Sequence, residues 1–134
     1  MSALIAIALG LFAGYIMGYR AINTLARRLS CGSMAPRFVR GGAWIGALLM
    51  LWPSFILAIV IGGTLGGGWG ETVSTAMGLG GIGVPFGIAA GMTIVMTTGI
   101  SLGALIGGAF GKAAACSLIR MKLGFQAMQK NSAQ

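Results

Sequence analysis

The sequence predicts an all-α integral membrane protein in which three transmembrane helices pack closely through small residues, with short interfacial amphipathic helices beside them. Three observations support this fold class. Only 7% of the residues are charged and 57% are hydrophobic, whereas about a quarter of the residues of a typical soluble domain are charged. Long apolar segments alternate with stretches rich in basic residues or glycine, and glycine recurs at every fourth position. We therefore interpret residues 1–134 as a single membrane domain.

The first predicted transmembrane helix spans about residues 3–19, close to the shortest length that crosses a bilayer core. No positive charge precedes it, so an uncleaved helix with its N-terminus outside is expected. Residues 20–40 form a predicted cytoplasmic loop, because they contain five arginines. Part of this loop has the pattern of a helix lying along the headgroups, which Gly32 and Pro36 are expected to end.

The second predicted transmembrane helix spans about residues 41–65 and contains Pro53, which is expected to kink it. Trp44 near its inner end and Trp69 just past its outer end are suited to the two membrane interfaces. Residues 66–83 contain many glycines and small polar residues, so they are interpreted as an outer loop, with a short re-entrant piece as an alternative.

The third predicted transmembrane helix spans about residues 84–110, and residues 111–134 form a basic cytoplasmic tail. Four apolar residues of the tail recur at helical spacing, which predicts an amphipathic helix on the inner leaflet or against a partner. They are Leu118, Met121, Phe125 and Met128.

Three crossings place every basic residue on the cytoplasmic side and the C-terminus inside, as expected for a bacterial inner (cytoplasmic) membrane protein. A four-helix alternative is rejected, because it would leave four of the nine positive charges outside. The basic residues are expected to contact anionic headgroups or a partner. They are Arg20, Arg27, Arg28, Arg37, Arg40, Lys112, Arg120, Lys122 and Lys130.

Glycine at a period of four is the most specific pattern. Residues four apart share one helix face, and missing side chains let a second helix approach closely. Ser54 and Ala58 continue the pattern, whereas Met50 and Val95 interrupt it. The predicted packing residues are Gly10, Gly14 and Gly18 in the first segment, Gly42, Gly46, Gly62 and Gly66 in the second, and Gly83, Gly87, Gly91, Gly99, Gly103, Gly107 and Gly111 in the third.

Two interpretations of these stripes stay open: packing within one three-helix bundle, or packing that also builds a homo-oligomer. The oligomer interpretation depends on the third segment, where a period of four drifts around a 3.6-residue helix and so reaches more than one neighbour.

The sequence offers little for chemistry. Glu71 is its single acid and histidine is absent, so no catalytic residue, metal site or cofactor is expected. Binding to nucleic acid is also not expected, because the positive charges flank apolar segments. Cys31 and Cys116 are expected to remain reduced and to pack as small hydrophobic residues.

Taken together, these patterns predict a small non-catalytic membrane subunit that packs or assembles within a larger complex. One alternative is a homo-oligomeric pore, since three crossings with a basic cytoplasmic tail resemble the topology of some phage holins. Another is a hydrophobic component of a secretion or conjugation machine, since two helices around an arginine-rich loop are similar in plan to hydrophobic pilins. Hydroxyls on Thr93, Thr97, Thr98 and Ser101 are expected to bond within their own helix, although a water-lined path is the alternative.

Overall fold

The computed structural model describes residues 2–32, 35–78 and 80–133, and this part of the chain is almost entirely helical. Helix α1 spans Ser2–Ser30. Helix α2 spans Pro36–Leu57 and continues through a π-helical turn, Ala58–Gly62, into helix α3, Gly63–Met77. A short 3₁₀ turn, Gly80–Ile82, leads into helix α4, Gly83–Ser132. Three stretches of the described chain are long and apolar enough to cross a membrane: Ala3–Ser30, Pro36–Met77 and Gly80–Ser132.

Residues 66–83, interpreted above as an outer loop, are helical over most of their length. Helix α3 continues to Met77 and ends at Gly78, whose positive φ of 66° suits a glycine at a helix C-terminus. The loop prediction is therefore wrong for residues 66–77. Glycine lowers intrinsic helix propensity by about 1 kcal/mol relative to alanine, but Gly66 and Gly70 both pack against α4, and these tertiary contacts outweigh that preference.

The two basic stretches are the ends of long helices. Helix α1 continues without a break to Ser30, and α4 continues to Ser132. Gly32, with a φ of 80°, follows α1, as predicted for the residue that ends it. The described parts of residues 20–40 and 111–134 thus contain no separate interfacial helix, although Ser33, Met34 and Gln134 lie outside the described residues.

The long helix formed by α2 and α3 contains two local irregularities. Pro53 has no N–H group, so the carbonyl four residues before it loses its usual donor. The π turn begins five residues after Pro53, and there the N–H of Gly63 donates to the carbonyl of Ala58, five residues back. A four-residue stripe drifts around a helix with 3.6 residues per turn. The wider π turn takes up an additional residue and offsets part of this drift.

Helix α4 lies at the centre of the bundle. It packs parallel to α1, since Gly10 lies against Ala89 and Gly18 against Ile100. It packs antiparallel to the α2–α3 helix, since Gly42 lies against Gly111 and Gly70 against Gly83. The two ends of the bundle therefore contain different connections. We call the end that contains the α1–α2 connection the basic end, and the end that contains the α3–α4 connection the far end.

The core is made mainly of small residues. Ala26, Ala43, Ala58 and Ala104 are fully buried, and Met92 is the largest of the nearly inaccessible side chains. Small buried residues allow the helix axes to approach closely, as is common in membranes, where association depends on van der Waals contact.

Both long helices exceed the thickness of a bilayer core. At 1.5 Å per residue, the 42 residues of Pro36–Met77 extend about 63 Å and the 50 residues of α4 about 75 Å. The hydrocarbon core of a bilayer is about 30 Å thick. If the bundle crosses a membrane, its helices therefore project beyond the hydrocarbon core.

Candidate functional site

The glycine stripes of the second and third segments face each other within one chain. Each four-residue step along α2 and α3 is matched by a four-residue step in the opposite direction along α4. This register extends along nearly the whole antiparallel contact. The facing pairs are Gly42–Gly111, Gly46–Gly107, Ser54–Gly99, Gly62–Gly91, Gly66–Gly87 and Gly70–Gly83.

The approach at the glycine–glycine pairs leaves no room for an added side chain. A Cβ atom placed at Gly46 would lie 2.7 Å from the Cα of Gly107, and one placed at Gly87 would lie 2.7 Å from the Cα of Gly70. Cβ atoms in real proteins essentially never approach another heavy atom within 3.0 Å. For most of these glycines the nearest atom is a carbonyl oxygen of the opposite helix, an arrangement that favours weak Cα–H···O contacts.

The larger residues that interrupt the stripes are accommodated by small ones. Met50 contacts Gly103, where an added Cβ atom would lie 2.6 Å from the Cβ of Met50. The same register places Val95 opposite Ala58, which is fully buried. The two interruptions are therefore complementary to the opposite helix and do not separate the backbones.

Helix α1 uses its glycines differently. Gly14 faces the side chain of Met96, at 3.0 Å from an added Cβ atom, and Gly18 faces Ile100, at 2.7 Å. These glycines form notches that receive side chains of α4, whereas the glycines of α2 and α3 mostly contact backbone. The end of a flexible side chain can move, so we expect Gly18 to tolerate alanine better than Gly46.

All fourteen predicted packing glycines have a neighbouring element within 4 Å of an added Cβ atom. Sequence reasoning missed Gly70, which the loop interpretation excluded although the four-residue period reaches it. It also missed Gly108, where an added Cβ atom would lie 2.6 Å from Cδ1 of Leu29. Gly108 lies next to the stripe, so only the position of α1 reveals its role.

The hydroxyls of α4 mostly bond their own helix, as predicted. Thr98 donates to Ile94 and Ser101 donates to Thr97, each four residues back. Thr97 Oγ1 is buried without a hydrogen-bond partner. Thr93 donates to Ala89 at 2.8 Å and also reaches the carbonyl of Gly10 in α1, at 3.1 Å.

Substituting Thr93 with valine should destabilise the bundle by about 1 kcal/mol, because interhelical hydrogen bonds in membranes contribute about 0.6 kcal/mol on average and up to about 1.7. Thr98→Val is the matched control, since its hydroxyl is exposed and bonds only within α4. The free energy of unfolding, measured by detergent titration in mixed micelles, should fall only for Thr93→Val. Equal losses in the two variants would contradict an interhelical role.

The nine basic residues are all exposed and lie toward the basic end. Their common location follows from the packing, since Leu29 of α1 contacts Gly108 and Phe38 of α2 contacts Gly111.

Near the same end, Tyr19 and Trp44 form an edge-to-face aromatic pair with ring centroids 5.5 Å apart. Such pairs contribute about 0.5–1.5 kcal/mol beyond their burial, so this contact helps to fix α1 against α2.

A cleft of about 310 Å³ opens beside this end, where the residues after α1 lie against α4. Lys112, Cys116 and Arg120 of α4 line one side, and Gly32 and Ala35 line the other. Both Cys116 and Cys31 are exposed free thiols, so the expectation that they pack as buried hydrophobic residues is wrong.

Two apolar grooves also follow the junction of the glycine stripes. One, of about 610 Å³, lies toward the far end between Trp69 and Phe86. The other, of about 600 Å³, lies toward the basic end between Leu49 and Phe110. Their floors are glycine backbone and their walls are large apolar side chains.

The described side chains offer few groups that could bind a metal ion or carry out catalysis. Among them, no group of three His, Cys, Asp or Glu residues is placed to hold a metal ion. Glu71 is exposed on α3 toward the far end, away from the basic residues. No protein-family model, curated protein or solved structure matches the chain.

Proposed function

We propose that the protein is a small, non-catalytic integral membrane subunit that assembles within a larger membrane complex. The observation that carries this proposal is the register of Gly42–Gly111 through Gly70–Gly83 within one chain. In this interpretation the stripes act as a glycine zipper that makes the subunit rigid and thin. Its outward surfaces are then left for lipid and for neighbouring proteins.

The proposed orientation places the N-terminus outside and the C-terminus in the cytoplasm of a bacterial-type inner membrane. The location of all nine basic residues toward one end supports it, since positive residues concentrate on the cytoplasmic side. The tryptophans give a second argument. Trp44 and Trp69 lie on one long helix, and at 1.5 Å per residue they are separated by about 38 Å along it. This separation suits two interfacial belts on either side of the hydrocarbon core.

The proposed contacts with lipid and with partner proteins fit the exposed surface. Large apolar side chains such as Phe12, Trp52 and Phe86 are each more than 60% exposed, which suits hydrocarbon better than water. At the end of α4, Leu118, Met121, Phe125 and Met128 are also exposed. This surface supports a second contact, either with the inner leaflet or with a partner protein.

A homo-oligomeric pore, as in holin-like topology, and a component of a secretion or conjugation machine are the alternative functions. The contacts of α4 favour the subunit over the pore. Its stripe is occupied by α2 and α3, and the hydroxyls of Thr93, Thr98 and Ser101 bond to carbonyls. These hydroxyls donate their protons to backbone carbonyls, which supports a packing role for this part of α4.

Purification of the tagged protein from membranes in mild detergent tests the proposal. We expect a fixed set of other membrane proteins to copurify in constant ratio, and the purified protein to give no conductance in liposomes. Copurification of only its own copies, together with dye release from liposomes, would establish the pore instead. Phe12→Ala and Phe86→Ala, which change exposed faces of α1 and α4 respectively, should show which face carries the partner contact while leaving helicity unchanged.

A further inference from the structure

The cleft at the basic end combines two positive charges with an apolar wall. Lys112 and Arg120 lie two helical turns apart on α4, and Ile119 and Ala115 of the same helix also line the cleft. Its volume of about 310 Å³ is at the lower limit of small-molecule sites, which measure about 300–1,000 Å³. We propose that this cleft binds the phosphate group of an anionic phospholipid.

The charge distribution favours an external anion in this cleft. Glu71 is the only acid of the sequence, and it lies on α3 toward the opposite end of the bundle. Side-chain carboxylates therefore cannot neutralise Lys112 or Arg120 from within the chain. Arginine binds phosphate through two parallel N–H groups, and lysine binds it as a compact charge. The two side chains together provide complementary donors for one phosphodiester.

The depth of the cleft matches the headgroup layer, on the membrane orientation proposed above. Gly42 faces Gly111, so Lys112 lies only about 5 Å beyond the level of Trp44, at 1.5 Å per residue. Trp44 would occupy the interface itself. Basic pockets between helices at this level on the cytoplasmic side are suited to phospholipid headgroups.

The cleft also continues along α4 on the side away from the hydrocarbon core, where the polar part of a headgroup would lie. A shallower depression of about 580 Å³ shares Cys116 and Arg120 with it and is bounded by Met121. The headgroup of a lipid held by its phosphate in the cleft would lie beside Cys116, which lines both the cleft and the depression. It would then shield the exposed thiol of Cys116, which provides a local probe of occupancy.

The experiment measures the rate at which a small maleimide modifies Cys116 in a Cys31→Ser background. The protein is incorporated into phosphatidylcholine vesicles with increasing fractions of phosphatidylglycerol, and a second series adds inorganic phosphate to the protein in neutral detergent. We expect phosphatidylglycerol to slow the modification in a saturable manner. In Lys112→Gln/Arg120→Gln, half-protection should require about 25-fold more phosphatidylglycerol, since each basic residue near an anionic surface contributes about fivefold in affinity.

Lys122→Gln/Lys130→Gln is the matched control, because it removes the same charge outside the cleft and should retain the protection of Cys116. Lys112→Arg should retain it as well. Protection by phosphatidylglycerol but not by inorganic phosphate assigns the site to a lipid headgroup, whereas protection by inorganic phosphate alone assigns it to a soluble phosphate compound. Equal weakening in the two double variants, or protection by neither ligand, would overturn the site.

The proposed lipid site depends on the membrane location in the proposed function but not on membership of a complex. If the protein enters vesicles and Cys116 shows no protection, the lipid site alone is wrong. If the protein fails to enter vesicles, the membrane location is wrong as well.

Discussion

Replacing Gly99, Gly103 and Gly107 together with leucine should abolish the folded bundle. Each of these glycines lies against α2 so closely that even a methyl group would overlap with Ser54, Met50 or the opposite backbone. Overpacking usually costs about 1–3 kcal/mol at one position, and backbone cannot move aside as a flexible side chain does. Three such changes therefore approach the total stability of a typical domain, which is about 5–15 kcal/mol.

The measurement is the unfolding transition in mild detergent, followed by tryptophan fluorescence, together with mobility on native gels. The chain offers a closely matched control. Gly41, Gly68 and Gly124 have no heavy atom of a neighbouring element within 4 Å of an added Cβ atom. The triple leucine variant at these positions has the same composition and should unfold close to the parent. An unaltered transition in the first variant would show that α2 and α4 do not pack through these glycines.

Cysteines introduced at Ser54 and Gly99 should form a disulfide within one chain. In a background with Cys31→Ser and Cys116→Ser, the new thiols would lie on facing turns of α2 and α4. A Cβ atom at Gly99 lies 2.8 Å from the Cβ of Ser54, and disulfides need about 3.5–4.5 Å. A small outward movement of the helices therefore suffices. Closing a loop of roughly 45 residues contributes about 4 kcal/mol, and the overpacking at Gly99 offsets about 1–3 kcal/mol of it, so a net stabilisation is expected.

Non-reducing electrophoresis separates the two interpretations of the stripes. A fast-migrating monomer is the expected product of oxidation, and its formation should not depend on protein concentration. A covalent dimer would instead indicate that the stripe of α4 packs against another copy, as the homo-oligomer interpretation requires. Cysteines at Gly68 and Gly124 serve as the control, because both positions are open and no monomeric cross-link is expected there.

The three long apolar helices were predictable because they follow from local properties. Hydrophobic length, glycine period and the positions of basic residues are all visible within a single segment. The fourteen glycines of the stripes, each of which has a neighbouring element within 4 Å of an added Cβ atom, could be named for the same reason. The extent of the helices was not predictable, since the glycines around Gly66 and Gly70 favour a loop by propensity and become helical only through contact with α4.

Which residues of different helices contact each other could not be predicted from any single segment. Gly108 lies beside the stripe, and its contact with Leu29 appears only once α1 packs parallel to α4. The cleft is a similar case. Lys112 and Arg120 were expected to contact lipid, but the sequence did not show that they line one cleft with Gly32 and Ala35, because the residues after α1 are more than 75 positions away.

Because the stripes repeat every four residues, α4 and the α2–α3 helix could pack in several alignments that differ by one four-residue step. A slip of one step, about 6 Å along the axis, would move Met50 from Gly103 to Gly107 and Val95 from Ala58 to Gly62. Both alternatives again pair a large residue with a small one. The stripes thus specify a repeating set of alignments and not a unique one. The choice among these alignments falls to features outside the stripes. Gly78 and Gly80, both with positive φ, lie where α3 gives way to α4. The Tyr19–Trp44 pair ties α2 to α1, and Met96 and Ile100 seat α4 on the same helix.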